Sequence, residues 1–208
     1  MLVSIIIPIY NGRKYIKETL ESCFNQTVSE KEIIIIDDCS TEPADDILEE
    51  YYKYNNFHYL KNESNQGMIR NNNKGASLAK GEYLIFLGQD DLLPPDHLEK
   101  MIKRFDESTS FVYCDHDEIN SNSEITRTGF MPDEVNFYIL SMYCISSCGI
   151  VISREKFDEI SGIREIPNCP MYGEWALWID LLSVGKAKKC CESKSMYRRH
   201  ETNITNTF

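Results

Sequence analysis

Two adjacent carboxylates, Asp90 and Asp91, follow the apolar run Tyr83 to Leu87, with only Gly88 and Gln89 between. The run does not alternate, so it predicts a strand from Glu82 to Leu87 that is buried on both faces. The carboxylates then stand where the strand leaves its sheet, which is where open α/β sheets bind ligands. Paired carboxylates repel each other unless a cation neutralises them. Mg²⁺ or Mn²⁺ suits these oxygen ligands, and a nucleotide diphosphate would complete the coordination. The alternative is a polar loop ahead of a helix opened by Pro94-Pro95-Asp96.

Polar residues also follow other apolar runs. Tyr10-Asn11 follow Leu2 to Ile9, Asp37-Asp38 follow Glu32 to Ile36, and Asp115 follows Phe111 to Cys114. In a parallel sheet these strand ends share one edge. Each has a structural alternative: Asp37 and Asp38 cap a turn, Tyr10 is a rim aromatic, Asp115 caps a loop. Taken as a set they favour a ligand cleft.

The elements that would position them read as follows. A helix carries Ile16, Leu20, Cys23 and Phe24 on one face. Pro43 opens another, through about Tyr52, and Phe57 to Leu60 is a short strand. Asn65-Gln66-Gly67 turns into a helix that ends at Lys80-Gly81, with Gly81 as its C-cap. Strand and helix alternate four times with short loops, which predicts an α/β fold: a mostly parallel central sheet with helices on both faces. Beyond it, Leu98 to Phe105 is helical and Asn120 to Glu124 is a polar loop. Cys148 to Ile152 is a strand, and Glu174 to Leu182 is a helix apolar almost all round that ends at Gly185. Tyr197 to Asn203 is polar, lacks apolar periodicity and is expected to be mobile until a ligand orders it.

The chain has 208 residues, a length that suits one domain with a sizeable core. No apolar run approaches a membrane span, and Leu2 to Ile9 is too short and interrupted for a secretory segment. The net charge of −11 argues against a nucleic-acid surface. From Lys186 onward, however, six bases face two acids, a patch suited to phosphates, a membrane surface or plain solvation. Eight cysteines include no CxxC pair, which argues against structural zinc. Reduced core cysteines and a cytoplasmic chain, with a peripheral contact at the inner face of the membrane, are the expectation.

The ordered stretches Ser4-Ile5-Ile6-Ile7-Pro8-Ile9-Tyr10-Asn11, Ile35-Ile36-Asp37-Asp38-Cys39-Ser40-Thr41 and Asn65-Gln66-Gly67 open a recognisable pattern. Asn73-Lys74-Gly75, Lys80-Gly81-Glu82-Tyr83 with Asp90-Asp91, Gly173-Glu174-Trp175-Ala176-Leu177-Trp178 and Tyr197-Arg198-Arg199-His200 continue it. Together they resemble the family 2 nucleotide-sugar glycosyltransferases of GT-A fold, and Asp115, Asp117 and Phe130-Met131-Pro132-Asp133 resemble its bacterial surface-polysaccharide branch.

The resemblance implies one glycosyltransferase domain over 1–208, with a nucleotide-sugar half (1–95) and an acceptor half (96–208). Pro8, Tyr10 and Asn11 would line the nucleoside pocket, with Gly67 and Gln89, and Asp38 would accept from a base, uracil in many members. Asn73 would stand near the diphosphate. Asp90 would hold Mg²⁺ or Mn²⁺ with His200, and Arg199 with His200 would close over the diphosphate. Glu174 would be the catalytic base. Acceptor contacts are expected between Asp115 and Asn168, to a glycan or lipid-linked glycan. Three departures stand out: Gly88 replaces the first aspartate of the DxD motif, Gly173-Glu174 leaves one acid of a usual pair, and the QxxRW signature of processive members is absent. A metal-dependent nucleotidyltransferase is a second reading, but Tyr10-Asn11-Gly12-Arg13-Lys14 is a poor phosphate loop. A degenerate nucleotide-binding module is a third, kept open by Gly88.

Overall fold

Runs such as Ser4–Ile7 and Ile33–Ile36 place apolar side chains at consecutive positions, so a strand made of them must be covered on both faces. In the computed structural model, which describes residues 1–142, 144–167, 172–201 and 203, both runs are central strands. β1 (Val3–Ile9) lies between β2 (Lys31–Asp37) and β4 (Tyr83–Phe86), parallel to each, and β3 (Phe57–Lys61) extends the sheet beyond β2. β7 (Val151–Ser153) joins β4 antiparallel, then β5 (Thr109–Ile119) follows, carrying β6 (Ile125–Gly129) antiparallel and β8 (Lys186–Arg198) parallel. Pro8 is tolerated because β1 pairs with β4 only as far as Ile6.

Helices cover both faces. α1 (Ile16–Phe24), α2 (Asp45–Leu48) and α4 (His97–Ile102) enclose one core around Ile5, Ile33 and Ile85. α3 (Met68–Leu78), α6 (Arg154–Glu159), α7 (Tyr172–Val184) and Leu140 of α5 (Phe137–Met142) enclose the other around Ile6, Ile34 and Phe111. Because these strands alternate their side chains, neighbours Ile5 and Ile6 belong to opposite cores.

Several expected boundaries move. The helix from Pro43 is only α2 with a 3-10 turn, Glu49–Tyr51. Gly81 is not a helix C-cap: α3 ends at Leu78 with Ala79 extended. A Cβ at Gly81 would lie 2.6 Å from Ser4 Oγ and 2.7 Å from Ser4 N, so glycine is required by the close approach of β1. The strand expected over Cys148 to Ile152 is confined to Val151–Ser153, after a turn in which Gly149 has φ +76°. Asp115 does not end a strand. β5 runs on to Ile119, because its polar residues 115–118 pair with β6 on one side and β8 on the other.

From Tyr197 the chain does bury surface, against the expectation that its polarity leaves it little to bury. β8 continues to Arg198, whose side chain is fully buried, and Leu92 and Met196 exchange both backbone hydrogen bonds. The basic run also finds partners: Lys188 bonds Asp106, Lys189 bonds Asp115 and Asp133, and Lys194 lies 3.7 Å from Asp117.

Candidate active site

The carboxyl ends of β1, β2 and β4 open into a cleft of about 1790 Å³. Pro8, Tyr10, Asn11, Asp38, Gly67, Gln89, Asp90, Glu174, Arg199 and His200 all line it. Asn73 does not, and its expected position near a diphosphate is corrected. Its amide donates to Ile163 O and accepts from Ile163 N, both at 2.8 Å, so it ties α3 to the loop before α7. The helix turns its neighbours Asn71 and Asn72 toward the cleft instead.

At the end of β1, Tyr10 N–H donates to Gln89 Oε1 at 2.8 Å and Gln89 Nε2 donates to Tyr10 O at 3.2 Å. This pairing leaves the Tyr10 ring half exposed over the cleft. Asn11 adopts φ +52°, a region Asn tolerates better than most residues. Its Oδ1 accepts from Thr41 N and Glu42 N, fastening the loop after β2 to the end of β1. Asp38 is buried and accepts from Gln66 N, Gly67 N and Asn62 Nδ2 at 2.7–2.9 Å. Burial acts to raise its carboxyl, but hydrogen bonds from Asn71, Gln66, Asn62 and Gly67 outweigh burial and hold it below the usual carboxylate range. Asp38 thus fixes the turn in which Gly67, at φ +85°, starts α3.

On the next strand end, Asp90 and His200 meet, with His200 Nε2 2.6 Å from Asp90 Oδ2. Asn203 Nδ2 donates to the same oxygen at 3.4 Å. Among the described residues no group of three or more His, Cys, Asp or Glu could hold a metal. One carboxylate and one imidazole at a cleft wall do fit a Mg²⁺ or Mn²⁺ ion that takes its other ligands from diphosphate and water. The absent carboxylate at Gly88 has a steric reason. A Cβ there would lie 2.7 Å from Asp91 Oδ2 and 3.1 Å from Asp90 Oδ1. Asp91 itself is turned inward and accepts from Arg198 N–H at 3.0 Å. Burial, and then the charge of Asp90, push its carboxyl up.

Arg198 is the residue that sequence reasoning passed over in favour of Arg199. Its guanidinium donates to Asp90 O, Asn120 O, Ser123 Oγ and Glu18 Oε2 at 2.7–3.0 Å. It also lies 4.6 Å over the Tyr15 ring. Arg198 therefore clasps the end of β8 to α1, to the β5–β6 loop and to the backbone of Asp90. The adjacent Arg199 is exposed, lies over the Tyr197 ring and has Glu118 at 3.6 Å. No local signal separates the two: the buried residues of β8 are Cys190, Ser193, Ser195 and Arg198, not every second position, and Arg199 lies just beyond the strand.

Glu174 stands at the start of α7 and lines the cleft, half-buried beside Trp175. Ser147 Oγ donates to Glu174 Oε2 at 3.3 Å. Burial pushes its carboxyl above the ordinary glutamate value, and the Ser147 bond opposes that only in part. Asp180 is not near this chemistry: it forms a two-pronged ion pair with Arg164. Asp115 and Asp117 are likewise committed, to Lys189 with Met131 N and to Thr128.

A parallel sheet whose carboxyl edge carries this cleft, extended by antiparallel β7 and β6, is the GT-A glycosyltransferase fold. S. aureus TarS 1–349 in complex with UDP-GlcNAc has it at TM-score 0.79 and 21% identity, covering 100% of this chain and 61% of that one. A mannosyltransferase from Pyrobaculum calidifontis in complex with GDP-Man and Mn²⁺ has it at TM-score 0.72 and 14% identity, covering 99% and 59%. Residues 4–161 match Glycosyl transferase family 2, and the chain belongs to that family. Bacillus subtilis TuaG, a putative teichuronic acid biosynthesis glycosyltransferase, is 31% identical over 88% of this chain and 73% of its own length. Escherichia coli WfaP, a UDP-Glc:alpha-D-GlcNAc-diphosphoundecaprenol beta-1,3-glucosyltransferase, is 31% identical over 98% of this chain and 80% of its own length. A further Bacillus subtilis relative, EpsH, is matched over only 33% of its length. No helix among the described residues is long and apolar enough to cross a membrane.

Proposed function

We propose that this chain is an inverting, non-processive glycosyltransferase. It moves a sugar from a nucleotide diphosphate, UDP in our reading, to a hydroxyl of a glycan or lipid-linked glycan in surface-polysaccharide synthesis. The observation that carries this is one cleft lined by Asp90 and His200, which meet, and by Glu174, whose carboxyl burial pushes up. Residues 1–95 form the nucleotide-sugar half and 96–208 the acceptor half of a single domain. TuaG and WfaP, as named, support a polysaccharide product, and WfaP supports a UDP donor and a lipid-linked acceptor.

In this reading Pro8, Tyr10 and Asn11 border the nucleoside with Gly67 and Gln89, and Asp38, whose oxygens also hold the Gly67 turn, accepts from the base. Asp90 and His200 would hold Mg²⁺ or Mn²⁺, which would supply positive charge against the leaving diphosphate. Arg199 approaches the diphosphate from the exposed side of β8. Glu174 takes the proton of the acceptor hydroxyl as its oxygen attacks the anomeric carbon. The bond from that carbon to the diphosphate oxygen breaks, and the diphosphate leaves with the electron pair. Attack opposite the leaving group inverts the anomeric configuration. A single transfer per encounter follows from the absent QxxRW signature. A lipid-linked acceptor, as in the name of WfaP, would bring the chain into peripheral contact with a membrane face.

The test is a screen of nucleotide-sugars with Mn²⁺ by thermal shift, followed by product analysis with the selected donor. Free nucleoside diphosphate supports transfer, whereas pyrophosphate would indicate a nucleotidyltransferase. Glu174→Gln should lower single-turnover transfer by about 10²–10⁴-fold and leave UDP affinity intact. Transfer at the parent rate by that variant would remove Glu174 from the mechanism.

A further inference from the structure

Beside Glu174, sharing Asn72, Phe86, Ser147 and Glu174 with the wall of the cleft, lies a second cavity of about 10 Å³. Its wall includes Asn72 and Trp178 with Ser147 and Glu174, and Phe86, Ile150 and Leu177 close it with apolar surface. Two of its polar atoms are buried without a protein partner: Asn72 Oδ1 and Trp178 Nε1. Both residues are only 2% exposed. An unsatisfied indole N–H or amide carbonyl in a core is costly, and native proteins leave few of them. Here an orphan donor and an orphan acceptor share one small cavity with a carboxylate. The volume is that of one water, about 10–15 Å³ on this measure, and a buried water needs two to four polar partners.

We propose that this cavity is a built site for a single water molecule that links Trp178 and Asn72 to Glu174 and positions the carboxylate for catalysis. The valences close in one way. Trp178 Nε1–H can only donate, so the water accepts from it. The two water hydrogens then go to Asn72 Oδ1 and to a Glu174 carboxylate oxygen. Ser147 Oγ already donates to Glu174 Oε2, so Glu174 is held from two directions. A water that donates to the ionised carboxylate favours that form. It works against the burial that raises Glu174, and it adds a second fixed contact to the one from Ser147. Cys144, an exposed residue, has Glu174 in its environment, and its thiol is pushed up to about 12. Trp178 and Asn72 are thus positioning residues that act through the water.

The water itself is independent of the proposed activity, while its catalytic consequence rests on Glu174 being the base. A crystal structure of the parent chain at a resolution that shows ordered water is the first test. One peak within about 2.7–3.2 Å of Trp178 Nε1, Asn72 Oδ1 and a Glu174 oxygen is expected. A dry cavity, or a water that misses Trp178 or Glu174, overturns the proposal whatever the enzyme does. Trp178→Phe removes the indole N–H and keeps most of the packing. In that variant the acid limb of kcat/KM should move to higher pH by roughly one unit, with about tenfold lower kcat/KM below the limb and an unchanged KM for the nucleotide-sugar. An unshifted limb in a folded variant would refute the positioning role. If Trp178→Phe does not fold, Asn72→Leu, read by the same pH profile, takes its place. A parent-like rate in Glu174→Gln with the water present would sink the base assignment and leave the water site standing.

Discussion

Replacing Arg198 tests whether the end of β8 is a structural clasp or a loose tail. The guanidinium is fully buried and donates to Glu18, Asn120, Ser123 and the backbone of Asp90. Arg198→Met keeps the length of the side chain and removes every one of those donors. Breaking a buried charge pair from one side typically costs about 3–5 kcal/mol. Glu18 is 43% exposed and can recover water, which places the expected loss near the lower figure, about 3 kcal/mol. For a chain of this size roughly 2–4 °C accompanies each kcal/mol, so the melting midpoint should fall by roughly 6–12 °C in calorimetry. Arg199→Met, one residue on and exposed, is the control and should change stability by about 0.5 kcal/mol or less. Limited trypsin digestion reads the tail directly: cleavage after Arg199 should be slow in the parent and fast in Arg198→Met, without any nucleotide. A melting midpoint within about 2 °C of the parent, with cleavage unchanged, would refute the clasp.

Other outcomes follow from the same geometry. UDP binding by calorimetry should strengthen with Mn²⁺, and Asp90→Asn or His200→Ala should abolish the strengthening while leaving binding in EDTA unchanged. Because Asp90 and His200 are the two donors assigned among the described residues, Mn²⁺ without nucleotide should bind weakly, and tight binding of the bare ion would contradict that. Gly88→Ala should destabilise by about 1–3 kcal/mol in urea titrations, since its Cβ would press on Asp91, which Arg198 N–H holds. A neutral or stabilising effect would show that Asp91 yields. His97 is fully buried between Ser193 and Gly149 O, and burial lowers it to about 4. Its folded value lies below the ordinary one near 6.5, so its contribution is present above that pH and is lost as pH falls toward 4. The loss should reach about 3 kcal/mol, and His97→Gln should flatten this part of the stability–pH curve.

The sequence by itself determined the elements whose signal is local. Unbroken apolar runs can be satisfied only by strands covered on both faces, which specified β1, β2 and β4, and with them the edge where Tyr10, Asp38 and Asp90 emerge. The one apolar face of α1 and the nearly all-apolar α7 were legible for the same reason, and the latter placed Glu174 at a helix start. What the chain could not declare locally was decided by partners distant in sequence. β8 reads as a polar, basic tail because its apolar content is low. It is a strand because β5 lies alongside it and because Asp106, Asp115, Asp117 and Asp133 meet its lysines. Asp115 looked like a strand end because polarity begins there, yet pairing on both sides carries β5 four residues further. Between Asn71, Asn72 and Asn73 nothing in composition discriminates. The rotation of α3 does, sending two amides to the cleft and the third to Ile163. Between Arg198 and Arg199 tertiary contacts make the choice, because Glu18, Asn120, Ser123 and the backbone of Asp90 all meet the Arg198 guanidinium, while Arg199 follows the end of β8 and stays exposed.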